Sequence, residues 1–300
     1  MTLYRIRFEL CSSIVTPLKG DTIWGHIVWG IANHEGDKAV QDFLEKEKSD
    51  PPLLVISSAF PAGMVCRSLP EPKERKDILS PEKYSEIKKD KKIKYKSADD
   101  YFMEAEKISE IKKKPFESIP VMHNTIDRDT NAVLEGALYS TEEKWSGFID
   151  ESGNFQKVDW DIYILSSLDK DRVKQLVEWA FEYGYGADAS TGKGNICIKS
   201  DAVPVTLKKK GNTYMALAPF VKHPGSGLSN IRADIFVRQG KIGGAFASNL
   251  SPYKKTVILF DEGAVFTSNE KISYTGMLLR EIHQDKRICQ AGFAPVIPIE

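Results

Sequence analysis

The sequence predicts an α+β fold whose main part is a ferredoxin-like (RRM-like) βαββαβ unit with a large insertion. Strand-like alternation surrounds two helix-like stretches, a lysine-rich segment interrupts this order, and 300 residues are enough for two domains. We therefore expect an N-terminal domain over residues 1–203 and a second, degenerate ferredoxin-like domain over 204–300. A hydrophobic content of 41% with 28% charged residues excludes a disordered or fibrous chain.

Periodicity defines the first three elements. Residues 3–10 alternate between apolar and polar side chains, as a half-buried strand requires. Apolar residues then recur at helical spacing over 23–31, which predicts a helix with Asp21 or Thr22 as its N-cap. The apolar, β-branched run at 53–60 predicts the next strand.

A change of composition marks the insertion. Residues 71–115 are rich in lysine and glutamate and poor in large apolar side chains. This composition favours a solvated helical insertion, and the lysines of 83–96 leave open an arm that contacts phosphates.

The βαββαβ order resumes after the insertion. Residues 118–149 alternate on both sides of a polar turn at 129–131, which predicts a long β-hairpin or paired loops. A strand over about 158–166 leads into a helix capped by Asp169 and closed near Gly184. The predicted apolar face of this helix is Val173, Leu176, Val177 and Ala180.

The C-terminal third is less regular. Strands are predicted near 214–220, 233–238, 256–260 and 288–297. They could belong to the second, degenerate copy of the unit.

The glycine-rich segment GYGADASTGKG at 184–194 is the most informative string. It is not a Walker A loop, because Gly194 stands where the magnesium-binding hydroxyl should follow Lys193, and Ala187 stands where the first glycine should be. It also runs from helix to strand, the reverse of both nucleotide-binding motifs. Its small residues, two hydroxyls and one lysine suit a phosphate or an RNA backbone, and the alternative is a plain turn.

Four stretches together resemble one known family. They are LKGDTIWGHIVWGI at 18–31, SSAFPAG followed by SLPEPK at 57–73, HNTIDRDTNAVLEGALYSTEEKW at 123–145, and the glycine-rich segment. The combination is similar to the RAMP superfamily of CRISPR proteins. Within it, the combination resembles the branch that caps the crRNA 5′ end in type III-A (Csm) effector complexes.

This resemblance implies a function in antiviral defence. Proteins of the family bind the repeat-derived 5′ tag of the crRNA and dock onto the large polymerase-like subunit and the backbone subunit, with the target RNA touched only indirectly. The region 118–149 then becomes a thumb that enters the guide–target duplex. The candidate RNA-binding residues are Lys19, Arg67, Lys73, His123, Asn124, Arg128, Thr130, Ser190, Thr191, Gly192, Lys193 and Gly194.

Two of these candidates have specific physical arguments. Lys19 stands at the start of the first predicted helix, where backbone amides favour a phosphate. Arg128 can contact a phosphate or a base, or it can form a surface salt bridge with Asp127 or Asp129.

The sequence does not predict an enzyme, a cofactor or a metal site. His26 and His34 lie where related endoribonucleases place a catalytic histidine, but the apolar surroundings of His26 favour a packed, hydrogen-bonded ring. The four cysteines have no zinc spacing and are expected to be buried free thiols in a cytoplasmic protein without a membrane segment. A metal-independent endoribonuclease and a pure protein scaffold stay open as alternatives to the RNA-binding subunit.

Overall fold

The computed structural model describes residues 1–70, 92–103, 114–243 and 251–300, together with Ser85, Lys88 and Phe246. Most of the predicted lysine-rich insertion, including Lys83, Lys89 and Lys91, therefore lies outside the described residues. In chain order the elements are β1 (Thr2–Leu10), α1 (Gly20–Glu47), β2 (Leu54–Ile56), β3 (Phe60–Pro61), β4 (Met64–Cys66), β5 (Tyr95–Ser97), β6 (Phe116–His123), β7 (Tyr139–Ile149), β8 (Phe155–Lys157), β9 (Trp160–Ser166), α2 (Lys170–Phe181), β10 (Ile196–Ile198), β11 (Val203–Pro204), β12 (Thr213–Ala216), β13 (Ser229–Arg232), β14 (Ile235–Arg238), β15 (Val257–Phe260), β16 (Val265–Thr267), β17 (Tyr274–Leu279) and β18 (Gln290–Pro298).

The N-terminal part is a six-stranded sheet packed against both helices. Its main strand order is β10-β1-β9-β2, with β11 added beside β1 and β3 added beside β9, and all pairs are antiparallel. Alternate residues of β1 are buried, as predicted, and pack with apolar residues of α1 and α2 in one core. Each such side chain stabilises the fold by roughly 1.5–3 kcal/mol when fully buried. The α+β prediction is confirmed.

The second helix follows its sequence signals closely. Asp169 caps α2 by accepting hydrogen bonds from the backbone amides of Asp171 and Arg172. Gly184 adopts a left-handed φ of 84° just beyond the helix. The four residues of the predicted apolar face are all buried.

The start of α1 differs from the prediction. The residue before the helix is Lys19, and Asp21 lies inside the first turn instead of capping it. The Asp21 carboxylate accepts two hydrogen bonds from the Arg238 guanidinium, at 2.8 and 3.0 Å, and one from Gln290. Asp21 therefore joins α1 to the C-terminal part, and its loss would cost about 3–5 kcal/mol because the partly buried Arg238 would lose its carboxylate partner.

The C-terminal part is a second sheet. Its strand order is β13-β16-β12-β18-β17, and β14 pairs separately with β15. The four predicted strands are present as β12, β14, β15 and β18. Within the described part of 204–300 there are strands and no α-helix, so the helices of a complete βαββαβ copy are not seen there.

The two parts share their cores. Ala291 and Phe293 of β18 belong to the core beneath α1, and Met215 of β12 packs in a second cluster with Phe60 and Tyr163. The hydrophobic core therefore continues across the predicted boundary near residue 203.

A long hairpin leaves the first sheet. Strand β6 pairs with β7 from Phe116 opposite Ser146 to His123 opposite Tyr139. The hairpin is thus regular up to the segment 124–138, which we call the tip. In the part of the chain that is described, no helix is long and apolar enough to cross a membrane.

Candidate nucleic-acid interface

The segment 184–194, called the glycine loop here, is fastened to the residues that follow β1. Tyr185 is completely buried, and its hydroxyl donates to the Pro17 carbonyl oxygen at 2.6 Å. The Ala187 amide donates to Thr16 Oγ1 at 2.8 Å, and the Gly194 amide donates to the Ser13 carbonyl oxygen at 2.8 Å. The loop therefore has a fixed base, which a plain turn between helix and strand would not need.

His26 of α1 also contacts the glycine loop. Its Nε2 accepts a hydrogen bond from the Gly186 amide at 3.1 Å, and its ring packs on Tyr185 with centroids 4.9 Å apart. Burial lowers the pKa of His26 to about 4, with a smaller opposing contribution from its hydrogen bond to the Ala180 backbone. The expectation of a packed, hydrogen-bonded histidine is confirmed.

His34 is also engaged. Its Nε2 lies 2.5 Å from the Glu182 carboxylate, and its ring stacks on Trp179 at 4.4 Å. These contacts tie α1 to the end of α2.

Lys193 has a partner that the sequence did not suggest. Its ammonium lies 2.5 Å from Glu143 Oε1 on β7 and 3.5 Å from Asp188, and Ser13 Oγ donates to the other Glu143 oxygen at 2.7 Å. The hydrogen bond between the two groups lowers the pKa of Glu143 and raises that of Lys193. Lys193 thus joins the glycine loop to the base of the hairpin, and its charge is already matched by a carboxylate.

The outer part of the glycine loop faces solvent. Asp188, with φ 60°, and Gly192, with φ 90°, bracket a single 3-10 turn, Ala189–Thr191. Asp188 provides no side-chain cap to the amides that begin this turn. Ser190, Thr191 and Gly192 are exposed, and the Thr191 hydroxyl donates to the Asp188 carbonyl oxygen at 2.8 Å. The Ser190 hydroxyl has no hydrogen-bond partner among the described residues, whereas the amides of Thr191 and Gly192 bond to carbonyl oxygens of the turn itself.

The hairpin tip presents a different chemistry. Asp127 Oδ1 accepts hydrogen bonds from the amides of Asp129 and Thr130, and Asn131 takes a left-handed φ of 51°. Arg128 is exposed, and within the described residues it pairs with neither neighbouring aspartate. The salt-bridge alternative for Arg128 is therefore not observed.

Exposed apolar side chains also lie on the tip. Those on the tip and at the adjoining ends of β6 and β7 are Met122, Ile126, Val133, Leu134, Leu138 and Tyr139. Asn124 and Thr130 are also exposed. His123 bonds Thr141 Oγ1 at 2.8 Å and stacks on Tyr139 at 5.2 Å.

The remaining three RNA-binding candidates belong to neither the glycine loop nor the hairpin tip. The Lys19 ammonium lies 2.7 Å from both Asp261 and Glu262 and over the Phe236 ring, so its charge already has two carboxylate partners. Arg67 is half-buried after β4, and Lys73 lies outside the described residues.

Three residues that anchor the glycine loop were not predicted from the sequence. Glu143 lies 50 positions before its partner Lys193, and Ser13 and Thr16 stand in an irregular segment. The backbone bridge between Ile14 and Lys144 brings Glu143 to the segment that anchors the loop. The sole hint available was the position of Glu143 at an inward site of an alternating strand, where a carboxylate needs a partner.

A scan against protein-family models found no match, and a search of curated proteins found none either. Solved structures do match over the whole chain. A chain of the Csm1-Csm4 cassette in complex with cA4 superposes with a TM-score of 0.59 at 15% identity, covering 99% of this chain and 98% of that one. The same cassette in complex with pppApA gives a TM-score of 0.58 at 14% identity with the same coverage.

A second assembly gives a similar result. The Csm3-Csm4 subcomplex of the type III-A CRISPR-Cas interference complex matches with a TM-score of 0.55 at 13% identity, covering 100% of both chains. Csm4 is the component common to the two assemblies. The present chain has this fold over its whole length, and this is the fold that the resemblance implies.

Proposed function

We propose that this chain is a non-catalytic RNA-binding subunit of a type III-A CRISPR effector complex, which holds the repeat-derived 5′ tag of the crRNA. The observation that carries the proposal is the attachment of the glycine loop to the base of the hairpin through Lys193, Glu143 and Ser13. Because of it, two exposed elements with affinity for RNA, the Ser190 turn and the Arg128 tip, extend from one connected body. Turn amides and hydroxyls suit phosphates, and an arginine among apolar side chains suits splayed bases.

The comparisons support the proposed partners. The matching assemblies contain Csm4 with Csm1 in one case and with Csm3 in the other. We infer that the present chain likewise contacts a large subunit and a backbone subunit and so connects them, in the cytoplasm where such a complex would meet its RNA.

We also propose that the chain consists of two structural units, the first of which is ferredoxin-like. The strand order β10-β1-β9-β2, all antiparallel and with α1 and α2 as the two crossovers, supports a ferredoxin-like unit within residues 1–203. Residues 204–300 are then a second unit that docks on the first through β18.

The proposal includes no chemical step. His26 holds the glycine loop, His34 pairs with Glu182, and Asp21 pairs with Arg238. Each of these three groups thus has a structural partner, which is the reason to prefer binding over cleavage.

The test is affinity for a tag-bearing RNA, measured on the purified chain. Lys193→Glu is a poor variant, because the new carboxylate would face Glu143 and disturb the fold. Ser190 is exposed, so Ser190→Glu should weaken binding and Ser190→Lys should strengthen it, each by about 1 kcal/mol, with affinity falling steeply as salt rises.

Ser152→Glu, in the exposed turn between β7 and β8, is the charge-matched control and should change nothing. Equal affinity for Ser190→Glu and Ser190→Lys would refute tag binding at this loop. If the partner subunits also copurify with the chain but RNA does not, the result would favour the alternative function of a pure protein scaffold. The observation that supports this alternative is that Lys19 and Lys193 already pair with carboxylates.

A further inference from the structure

Two cysteines that are far apart in the sequence meet beside the glycine loop. Cys11 follows the end of β1, and Cys197 lies in β10, where it pairs with Glu9 of β1. The Cys11 amide donates to the Asn195 carbonyl oxygen at 2.8 Å, so the two cysteines are diagonal neighbours on one face of the sheet. Their sulfur atoms are 2.6 Å apart, closer than two thiols ordinarily rest.

The pair is open to reagents, contrary to the expectation of buried thiols. Cys197 is exposed and Cys11 is half-buried, whereas Cys66 is buried in the core. Because the two sulfur atoms are already 2.6 Å apart, a bond of about 2.05 Å between them needs only a small further approach.

The surrounding charges favour thiol chemistry over metal binding. Glu9 Oε1 lies 3.5 Å from the Cys11 sulfur, and the three side chains could together offer ligands to an ion. However, Glu9 Oε2 is paired with the Lys199 ammonium at 2.9 Å, and this positive charge opposes a cation at the same place.

We propose that Cys11 and Cys197 are a modification site, a dithiol that a low-molecular-weight disulfide such as oxidised glutathione converts to a disulfide. The exposed Cys197 attacks as the thiolate, after losing its proton to water, and forms a mixed disulfide while one glutathione leaves as its thiolate. Cys11 then attacks the Cys197 sulfur, its proton goes to solvent, and the second glutathione leaves. The two cysteines are oxidised, and one oxidised glutathione is reduced to two molecules of glutathione.

The order of attack agrees with the environments of the two thiols. Burial raises the pKa of Cys11, and so does the hydrogen bond with Cys197. Cys11 is therefore the poorer initial nucleophile and the natural resolving thiol.

The bond would join the two chain segments that hold the glycine loop. Cys11 begins the segment whose Ser13, Thr16 and Pro17 anchor the loop, and Cys197 lies three residues after Gly194. The disulfide thus restrains the anchored base of the loop. Any effect of oxidation on RNA affinity rests on the function proposed above, whereas formation of the bond does not.

The experiment titrates the full-length chain with oxidised and reduced glutathione in the presence of EDTA. Free thiols should fall from four to two, and peptide mapping should identify the Cys11–Cys197 linkage. Cys197→Ser should abolish the linkage, and Cys289→Ser, the matched control, should retain it. The linked form of the wild type should melt at a higher temperature than the reduced form, because the cross-link restricts the unfolded chain.

Persistence of four thiols at high oxidant, a stable mixed disulfide on Cys197, or linkage of Cys11 to a different cysteine would each overturn the proposal. Because mapping and melting require no RNA, these outcomes are independent of tag binding. A linked protein with unchanged tag affinity would leave the modification site established and count against the proposed role of the loop.

Discussion

The glycine loop and the hairpin tip are two surface segments of similar length that are built in opposite ways. The loop contacts distant residues through both its backbone and its side chains: Ser13, Thr16, Pro17 and His26 all bond to it, and the Lys193 ammonium contacts Glu143. The tip closes on itself, with bonds such as the one from the Asp127 amide to the Ala132 carbonyl, and leaves its apolar side chains exposed. A fixed loop suits recognition of one RNA shape, whereas an exposed tip suits insertion between other molecules.

The largest expected effect tests how firmly the loop is anchored. Gly194 has a φ of 67°, and a Cβ there would collide with the backbone of Tyr185. Gly194→Ala should therefore destabilise the fold by about 3 kcal/mol or more in urea unfolding, because neither the strain nor the clash can relax.

Gly192 provides the matched control within the same loop. Its φ is 90°, but a Cβ there would meet open space. Gly192→Ala should cost only about 1 kcal/mol, the penalty of the left-handed conformation alone. Equal losses for the two variants would mean that the base of the loop is no more rigid than its outer turn.

The next largest expected effect is a pH dependence of the folding stability, caused by His26, which bonds to the glycine loop. The pKa of His26 is lowered to about 4 in the folded chain, so the fold binds this proton less readily than the unfolded chain does. The stability that neutral His26 provides is fully present above about pH 6.5 and is lost as the pH falls from 6.5 towards 4, by roughly 2–3 kcal/mol.

Glu47 titrates in the opposite direction, since burial raises its pKa to about 8 despite bonds from Trp24 and Leu54. It stabilises the fold below about pH 4.5 and loses that contribution up to pH 8. Glu47 is present in both the wild type and His26→Gln. The difference between their unfolding free energies therefore does not contain the contribution of Glu47. That difference should decrease on acidification, and a difference independent of pH would contradict the assignment of His26.

The smallest expected effect concerns the tip. Deletion of residues 128–134 removes exposed side chains and local turn bonds, so stability should change by less than about 0.5 kcal/mol. The affinity for tag RNA or for the guide–target duplex should still decrease. Arg128→Ala alone should reproduce about 1 kcal/mol of this loss in binding free energy.

Lys157→Ala is the charge-matched control, since Lys157 is exposed at the opposite end of the hairpin, where β8 pairs with β7. If the deletion unfolds the chain, the tip belongs to the core and its contrast with the glycine loop disappears.

Local patterns predicted the elements because their physics is local. Alternation identified β1, helical spacing and the Asp169 cap identified α2, and an excess of glycine identified the loop. The resemblance built on four motifs identified the fold that the whole-chain comparisons confirm.

Tertiary structure decided the partners of the charged side chains. Lys193 and Lys19 looked available for phosphates, yet they pair with Glu143 and with Asp261 and Glu262. Asp21 looked like a helix cap and instead bonds Arg238, more than two hundred residues away. The reason is physical: a charge that is partly removed from water requires a counter-charge, and which one it finds depends on how the sheets pack and not on its neighbours in the chain.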